Sequence, residues 1–294
     1  MTTTIRFFLV FLLFCLGCSS KKEPHIPDSL SKEKLSLKNR AVVKKQKKQV
    51  IAELSKLKDH PWAGSYCMVY PPGWMGIDEE FVIAPKSGFI YTCRSNDWID
   101  EYGGVLYDQN YGNVAWEGDC LKLSPVLANE GNGYECSTEL VPITWDDRLY
   151  LVPANGIVEF CNDVNKGGAI IYFVRGGDRT KPPMGMPDVS DEFKPYLLKK
   201  PVEGQVITVG ETKEICKQFH KKSYEGMETA VTINKGTQDG LLPGMKLWAT
   251  DTRQSLPIIL TVVRETESDG IIEGYAEHYE MPQISQMFTT RRYP

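Results

Sequence analysis

The chain has 294 residues, a formal net charge of −4 and 41% hydrophobic residues, enough for one large domain or two ordinary ones, each with its own core. The charge is unevenly placed: residues 21–58 hold 12 Lys/Arg against four Asp/Glu, and residues 59–294 hold 21 against 34, so a segment of +8 precedes a body of −13. A body this acidic excludes nucleic acid as a partner, because phosphates reward a basic face.

The chain opens MTTTIRFFLVFLLFCLGCSS, with Arg6 ahead of an apolar run from Phe7 to Leu16 and small Gly17 before Cys18. This is the shape of a signal peptide over residues 1–17. Its apolar run is about half the roughly 20 residues that a membrane-spanning helix requires. The stretch Cys15-Leu16-Gly17-Cys18 resembles the lipobox of bacterial lipoproteins, although Cys15 stands where that family usually has Leu. The resemblance implies cleavage before Cys18 and lipidation of that cysteine, palmitate included, so that Cys18 is the one site residue assigned. Acyl chains anchor because each buried CH₂ contributes about 0.8 kcal/mol. Ser19, not Asp, follows the cysteine, which by the same resemblance implies the outer membrane, facing the periplasm, over the inner membrane.

Residues 18–30 carry Pro24 and Pro27 and read as a tether. From 31 to 58 there is no Gly or Pro, and Leu35, Val42, Val43, Val50, Ile51, Leu54 and Leu57 recur at three, four or seven, which predicts one basic amphipathic helix. Val43, Val50 and Leu57 keep a heptad step, and lysines fill the other face. Two readings follow. Either the helix lies on anionic lipid or an acidic envelope polymer, each charge contributing about 1 kcal/mol near a membrane, or it is a solvated spacer.

At Trp62 the texture changes. WAGSYCMVY, EEFVIAPKSGFIYTC, GGVLYD, GNVAWEGDCLKLSP and ELVPITWDDRLYLVP are short alternating runs separated by turn residues. They predict a β-rich domain over 59–178, an antiparallel meander closing into a barrel or sandwich, with Trp62, Tyr66, Phe81, Phe89, Trp116, Leu121, Trp145 and Tyr150 as core. In texture, though not in motif, these runs resemble small lipocalin-like barrels of bacterial envelope proteins. Ile157, Phe160, Cys161 and Val164 have helical spacing ended by Gly167-Gly168, which predicts a short helix covering one barrel edge. IIYFV then supplies one more strand. Cys67, Cys93, Cys120, Cys136, Cys161 and Cys216 remain after maturation. In an exported chain their even number predicts disulfides, with 15 full connectivities left open. Among these six no CxxC or Cys/His cluster points to zinc.

Five prolines between Gly176 and Pro201 mark a linker, 179–201, ahead of a second small barrel-like β domain, 202–294. Its strands are read in GQVITVGE, ETAVTIN, MKLWAT, PIILTVVRET, GIIEGYAE and QMFTTR. Between two of them, TINKGTQDGLLPGMKLW concentrates turn residues at Asn234, Gly236, Asp239-Gly240 and Pro243-Gly244. This segment resembles the turn in β domains of the cell-shape protein C and flagellar assembly protein T families, where such residues join two strands of a small barrel. The resemblance implies a scaffold or interaction module and carries over no active site. The fold class is thus mainly β: an N-terminal amphipathic helix, then two small antiparallel β domains, with few short helices.

The chemistry of common enzymes is missing its parts. His25, His60, His220 and His278 are scattered, and GxSxG and GxxxxGK do not occur. Asn96, Asp97, Asp100 and Glu101, with Asp108, Asn110 and Gly112 beyond them, offer oxygen ligands for Ca²⁺ without the rest of an EF-hand loop. Asp146-Asp147-Arg148 offers paired carboxylates of the kind glycoside hydrolysis uses, and adjacent aspartates at a hairpin are also ordinary turn chemistry. Cys67 and His60 offer a nucleophilic pair, against which stands a disulfide for Cys67. No catalytic, cofactor-binding or metal residue is assigned, and no cofactor is expected. The expected function is a binding or scaffolding module of the cell envelope, held to a membrane by lipid on Cys18, with an envelope protein or polymer as partner. Two alternatives accompany it. One is a barrel carrying an apolar ligand, lined by Tyr66, Tyr70, Trp74, Phe89, Tyr91, Trp98 and Tyr107; the other is an envelope hydrolase.

Overall fold

The computed structural model describes residues 29–68, 77–95, 106–127, 136–167, 172–176, 181–219, 222–250 and 256–291. Cys18, the tether, the Asn96–Glu101 loop, Tyr70, Trp74 and Trp98 lie outside the described residues, and of Tyr107 and Asp108 only the backbone is described. The fold is mainly β. Strands β1 (Gly64–Met68), β2 (Ile77–Ala84), β3 (Gly88–Ser95), β4 (Leu106–Glu117), β5 (Cys120–Pro125), β6 (Glu139–Trp145), β7 (Arg148–Pro153) and β8 (Phe173–Arg175) form a closed antiparallel barrel in sequential order. β1 closes it against β8 through Cys67↔Val174 and Met68↔Phe173.

Alternation decides which side chains enter. Phe81 and Ile83 on β2 face Tyr91 and Phe89 on β3, and all four are buried with Leu121, Leu140, Leu149 and Leu151 in one cluster. Eight strands leave an interior just wide enough for side chains to fill. Gly88, at φ 79°, turns β2 into β3, and a Cβ there would lie 1.9 Å from the Gly112 carbonyl oxygen. That close approach accepts glycine only.

Helix α1 runs Ser29–Leu54 and continues in turns to Leu57. From Val43 onward it lies on the outer wall of the barrel, with Val43 and Val50 packed on Val82, Ala84 and Ile90. Val50 is fully buried, so the heptad step is a narrow seam for the barrel wall. Polar groups lock the same contact. The Glu53 carboxylate accepts the backbone N–H groups of Lys86 at 3.0 Å and Ser87 at 2.7 Å, capping the β2–β3 turn, and Lys47 pairs with Glu80 at 3.1 Å. Lys44, Lys45, Lys48, Lys56 and Lys58 remain exposed.

Helix α2 (Ile157–Lys166) ends at Gly167, whose left-handed φ of 74° stops it. It covers the outer wall of β6, β7 and β8: Ile157, Phe160, Cys161 and Val164 pack on Ile143, Trp145, Tyr150, Val152 and Val174. The expected cover for one barrel edge is therefore a cover for a wall. The opposite side of α2 meets a second closed barrel, β10-β13-β12-β11-β14-β9, made of β9 (Glu203–Phe219), β10 (Lys222–Ile233), β11 (Lys246–Ala249), β12 (Ile258–Val263), β13 (Ser268–Tyr275) and β14 (Met287–Thr289). Asn162, almost fully buried, donates to the Gly244 carbonyl at 2.9 Å and accepts the Lys246 N–H at 3.1 Å. Glu159 pairs with Lys246 at 2.6 Å, and the Lys166 ammonium sits 5.2 Å from the Trp248 ring centre.

The proline-rich segment is a strap between the barrels. The Trp145 indole N–H donates to Gly185 O at 3.1 Å, and the Met184 N–H to the Asp146 carboxylate at 3.0 Å. The Asp188 N–H donates to Thr144 O at 2.8 Å, and Val189 is buried. In the second barrel, the Asn234 side chain accepts the Gln205 N–H at 2.7 Å and Asp239 accepts the Gly236 N–H at 3.1 Å. A Cβ on Gly236 would lie 2.3 Å from Arg264 O. This dense turn motif is occupied with holding strands together.

Two expectations need correction. No disulfide joins the six cysteines: Cys161 is inside the α2 contact and Cys216 is exposed on β9 of the other barrel, so those two occupy unrelated surroundings. Trp116, expected in the core, is 47% exposed. It stands one residue before the β4–β5 turn, so its ring passes the rim of the barrel instead of entering it. The other seven core candidates are buried. No helix among the described residues is long and apolar enough to cross a membrane.

Candidate functional site

The first barrel's interior is packed. Tyr66, Phe89 and Tyr91, expected to line a ligand pocket, are buried in the cluster that also holds Phe81, Leu121 and Phe173. Phe81 meets Tyr91 with ring centres 4.8 Å apart and Phe173 at 4.7 Å. Burial raises the Tyr91 phenol far above its usual range, helped by the Glu79 carboxylate to which it donates at 2.7 Å. Among the described residues these aromatic rings pack on one another as core.

The remaining sequence candidates are engaged structurally. Asn110 is buried, donating to Leu127 O at 3.0 Å and accepting the Tyr111 and Leu127 amides. At Gly112 a Cβ would meet Ser124 O at 1.9 Å, so both residues serve strand packing. Asp146, at φ 57°, makes the β6–β7 turn and holds Met184, while Asp147 lies 3.8 Å from Arg148. These carboxylates do turn chemistry and anchor the strap. The His60 Nδ1 accepts the Ala63 amide at 3.1 Å and its ring meets Trp62 edge-on, and the Cys67 backbone is paired between β2 and β8. Among the described residues no hydrogen bond joins His60 to Cys67. Burial pushes the Cys161 thiol up to about 12, so it stays protonated and poorly nucleophilic. No group of three or more His, Cys, Asp or Glu among the described residues is placed to hold a metal ion.

What the fold does assemble is a groove of about 440 Å³ on the first barrel's outer surface. The end of the β4–β5 hairpin supplies Trp116 and Asp119, the outer wall of β6 supplies Val141 and Ile143, α2 supplies Ile157, and the strap supplies Asp188 to Asp191, Phe193 and Lys194. Each comes from a feature already described. Val141 and Ile143 alternate with the inward Leu140; the bridge of Asp188 to Thr144 fixes the strap along β6. Trp116 is stacked on buried Trp62, ring centres 6.1 Å apart and planes within 2°. With one side of its indole given to Trp62, the exposed remainder lies at the groove. Asp119, Asp188 and Asp191 are exposed at the rim, and Lys194 pairs with Asp191 at 2.6 Å, which holds the Asp191 carboxyl below the usual range.

None of these groove residues was a sequence candidate for a site. The faint signal was Val189, one apolar residue between Asp188 and Asp191 in a polar, proline-rich stretch. The groove thus combines an apolar floor with carboxylates at its edge, and among its described residues no paired acid and base surround a buried centre. Set against protein-family models, curated proteins and solved structures, the chain matches none of them.

Proposed function

We propose that this chain is a lipid-anchored protein of the cell envelope whose two barrels serve as a binding or scaffolding module, with the Trp116 groove as its binding surface. The observation that carries the reading is the strap and α2 together: they join the barrels through buried Asn162 and, along β6, build a groove in which Trp116 stays half-exposed. The packed interior favours this over a carrier, and the engaged carboxylates at Asp146 and Asp147 favour it over a hydrolase. The lipobox resemblance at Cys18 supports the anchor and the outer membrane. The basic helix fits beside it: the Val43 and Val50 seam is spent on the barrel, so the exposed lysines meet anionic lipid through charge alone, an attraction that salt screens.

In cells, wild-type chain fed an alkyne palmitate becomes labelled and sediments with membranes, whereas Cys18→Ser is unlabelled and soluble. A photo-crosslinking residue at position 191 captures an envelope component, and one at exposed position 262 on β12 does not. Labelling that survives Cys18→Ser removes the anchor, and equal capture from both positions removes the groove.

A further inference from the structure

We infer that the Trp116 groove takes a Lys- or Arg-bearing extended segment of a partner polypeptide. The inference rests on the groove being the binding surface and names the chemistry of its occupant. Three carboxylates, Asp119, Asp188 and Asp191, face one ammonium, Lys194, which is already paired with Asp191 at 2.6 Å. The lining is therefore rich in acceptors, and the body that carries it holds 34 Asp/Glu against 21 Lys/Arg over residues 59–294, a field that draws cations toward it. Trp116 adds the second requirement. Its indole is fixed by the stack on Trp62 and stays 47% exposed, and tryptophan is the best side-chain face for an ammonium or guanidinium. The apolar floor of Val141, Ile143 and Phe193 suits the methylene stems that Lys and Arg lay along a surface while their heads stay wet. A volume of about 440 Å³ admits one or two side chains and a short length of backbone, which selects an extended segment over a folded face.

The test uses the full mature chain in detergent micelles and three probes: a seven-residue Gly/Lys/Arg peptide, the same peptide with Glu at the basic positions, and chitotetraose. Calorimetric titration is expected to detect the basic peptide and not the acidic one, with binding that weakens as NaCl rises. Trp116→Ala is expected to weaken it at least about fivefold, Asp119→Asn with Asp188→Asn about tenfold, and Trp116→Phe least. All these positions are exposed, and an unchanged thermal melt confirms each fold. The inference is overturned by no binding of the basic peptide, by equal binding of the acidic one, or by binding indifferent to both the Trp116 and the aspartate variants. Chitotetraose binding lost in Trp116→Ala also overturns it, while leaving the groove as the binding surface. Failure of every probe together with failed capture from position 191 removes the groove itself.

Discussion

Two helices grip the walls of the first barrel, and they do so by different means. The α1 grip is a narrow seam, Val43 and Val50, finished by a carboxylate that caps a turn. The α2 grip is broad, with four buried apolar residues on its barrel side and buried Asn162 on the side of the second barrel. Their acidic groups respond oppositely. Burial pushes Glu53 up, but hydrogen bonds from the Ser87 hydroxyl and the Lys86 and Ser87 amides outweigh it and hold the carboxyl below its ordinary value. Asp163 on α2 is raised by burial and by the neighbouring Glu159 charge. One helix is fastened by ionisation, and the other tolerates an ionised group at a cost.

The largest test of this contrast is Phe160→Ala, which leaves a cavity under α2 and is expected to destabilise the protein by about 3–5 kcal/mol, measured by denaturant unfolding. Val50→Ala is expected to cost about 1–3 kcal/mol in the same measurement; a larger loss than for Phe160→Ala would reverse the ranking of the two grips. Asn162→Ala leaves the Gly244 carbonyl and Lys246 amide without their partner, at about 1–3 kcal/mol, and hydrogen exchange should locate the loosening at β11.

The smallest effects are those of pH. Because the Glu53 pKa is lowered on folding, its stabilisation is present above the unfolded value of 4.5 and is lost as pH falls through the folded value. Glu53→Gln should therefore flatten the acid limb of the stability curve. The Asp163 pKa is raised, so its relative stabilisation is present below 3.8 and is lost as pH rises through the folded value. Asp163→Asn should remove that loss and leave the protein at least as stable at neutral pH. Parallel changes in the two variants would contradict the contrast.

Much of this architecture is legible in the residues. Alternation around Phe81–Tyr91 and Leu140–Val152 marks strands because one face of each must enter the barrel, and the turn residues Asn234, Gly236 and Asp239 announce their hairpin because each meets a backbone demand. The grip of α1 is half legible. The heptad step of Val43 and Val50 reveals a seam, but the spacing does not say whether lipid, a partner helix or the barrel wall covers it. The α2 joint is hidden, since Glu159, Asn162 and Lys246 have the composition of solvated surface and only the second barrel's position buries Asn162 and pairs Glu159 with Lys246. β9 continues past Glu211 to Phe219 against β10 from Lys222, and Glu, Lys and Thr hide that extension by weakening the alternation. The groove was illegible for a similar reason. Trp116 reads as core until the rim is known, and the aspartates of the strap read as linker until Asp188 pairs with Thr144.

Through α2 and the strap the two barrels make one body. Residual dipolar couplings of backbone amides, measured in one alignment medium on Cys18→Ser chain, test it directly. Couplings from β1–β8 and from β9–β14 are predicted to fit one alignment tensor, equal in magnitude and orientation. Tensors of different magnitude for the two barrels would mean that they reorient independently, and would contradict the account.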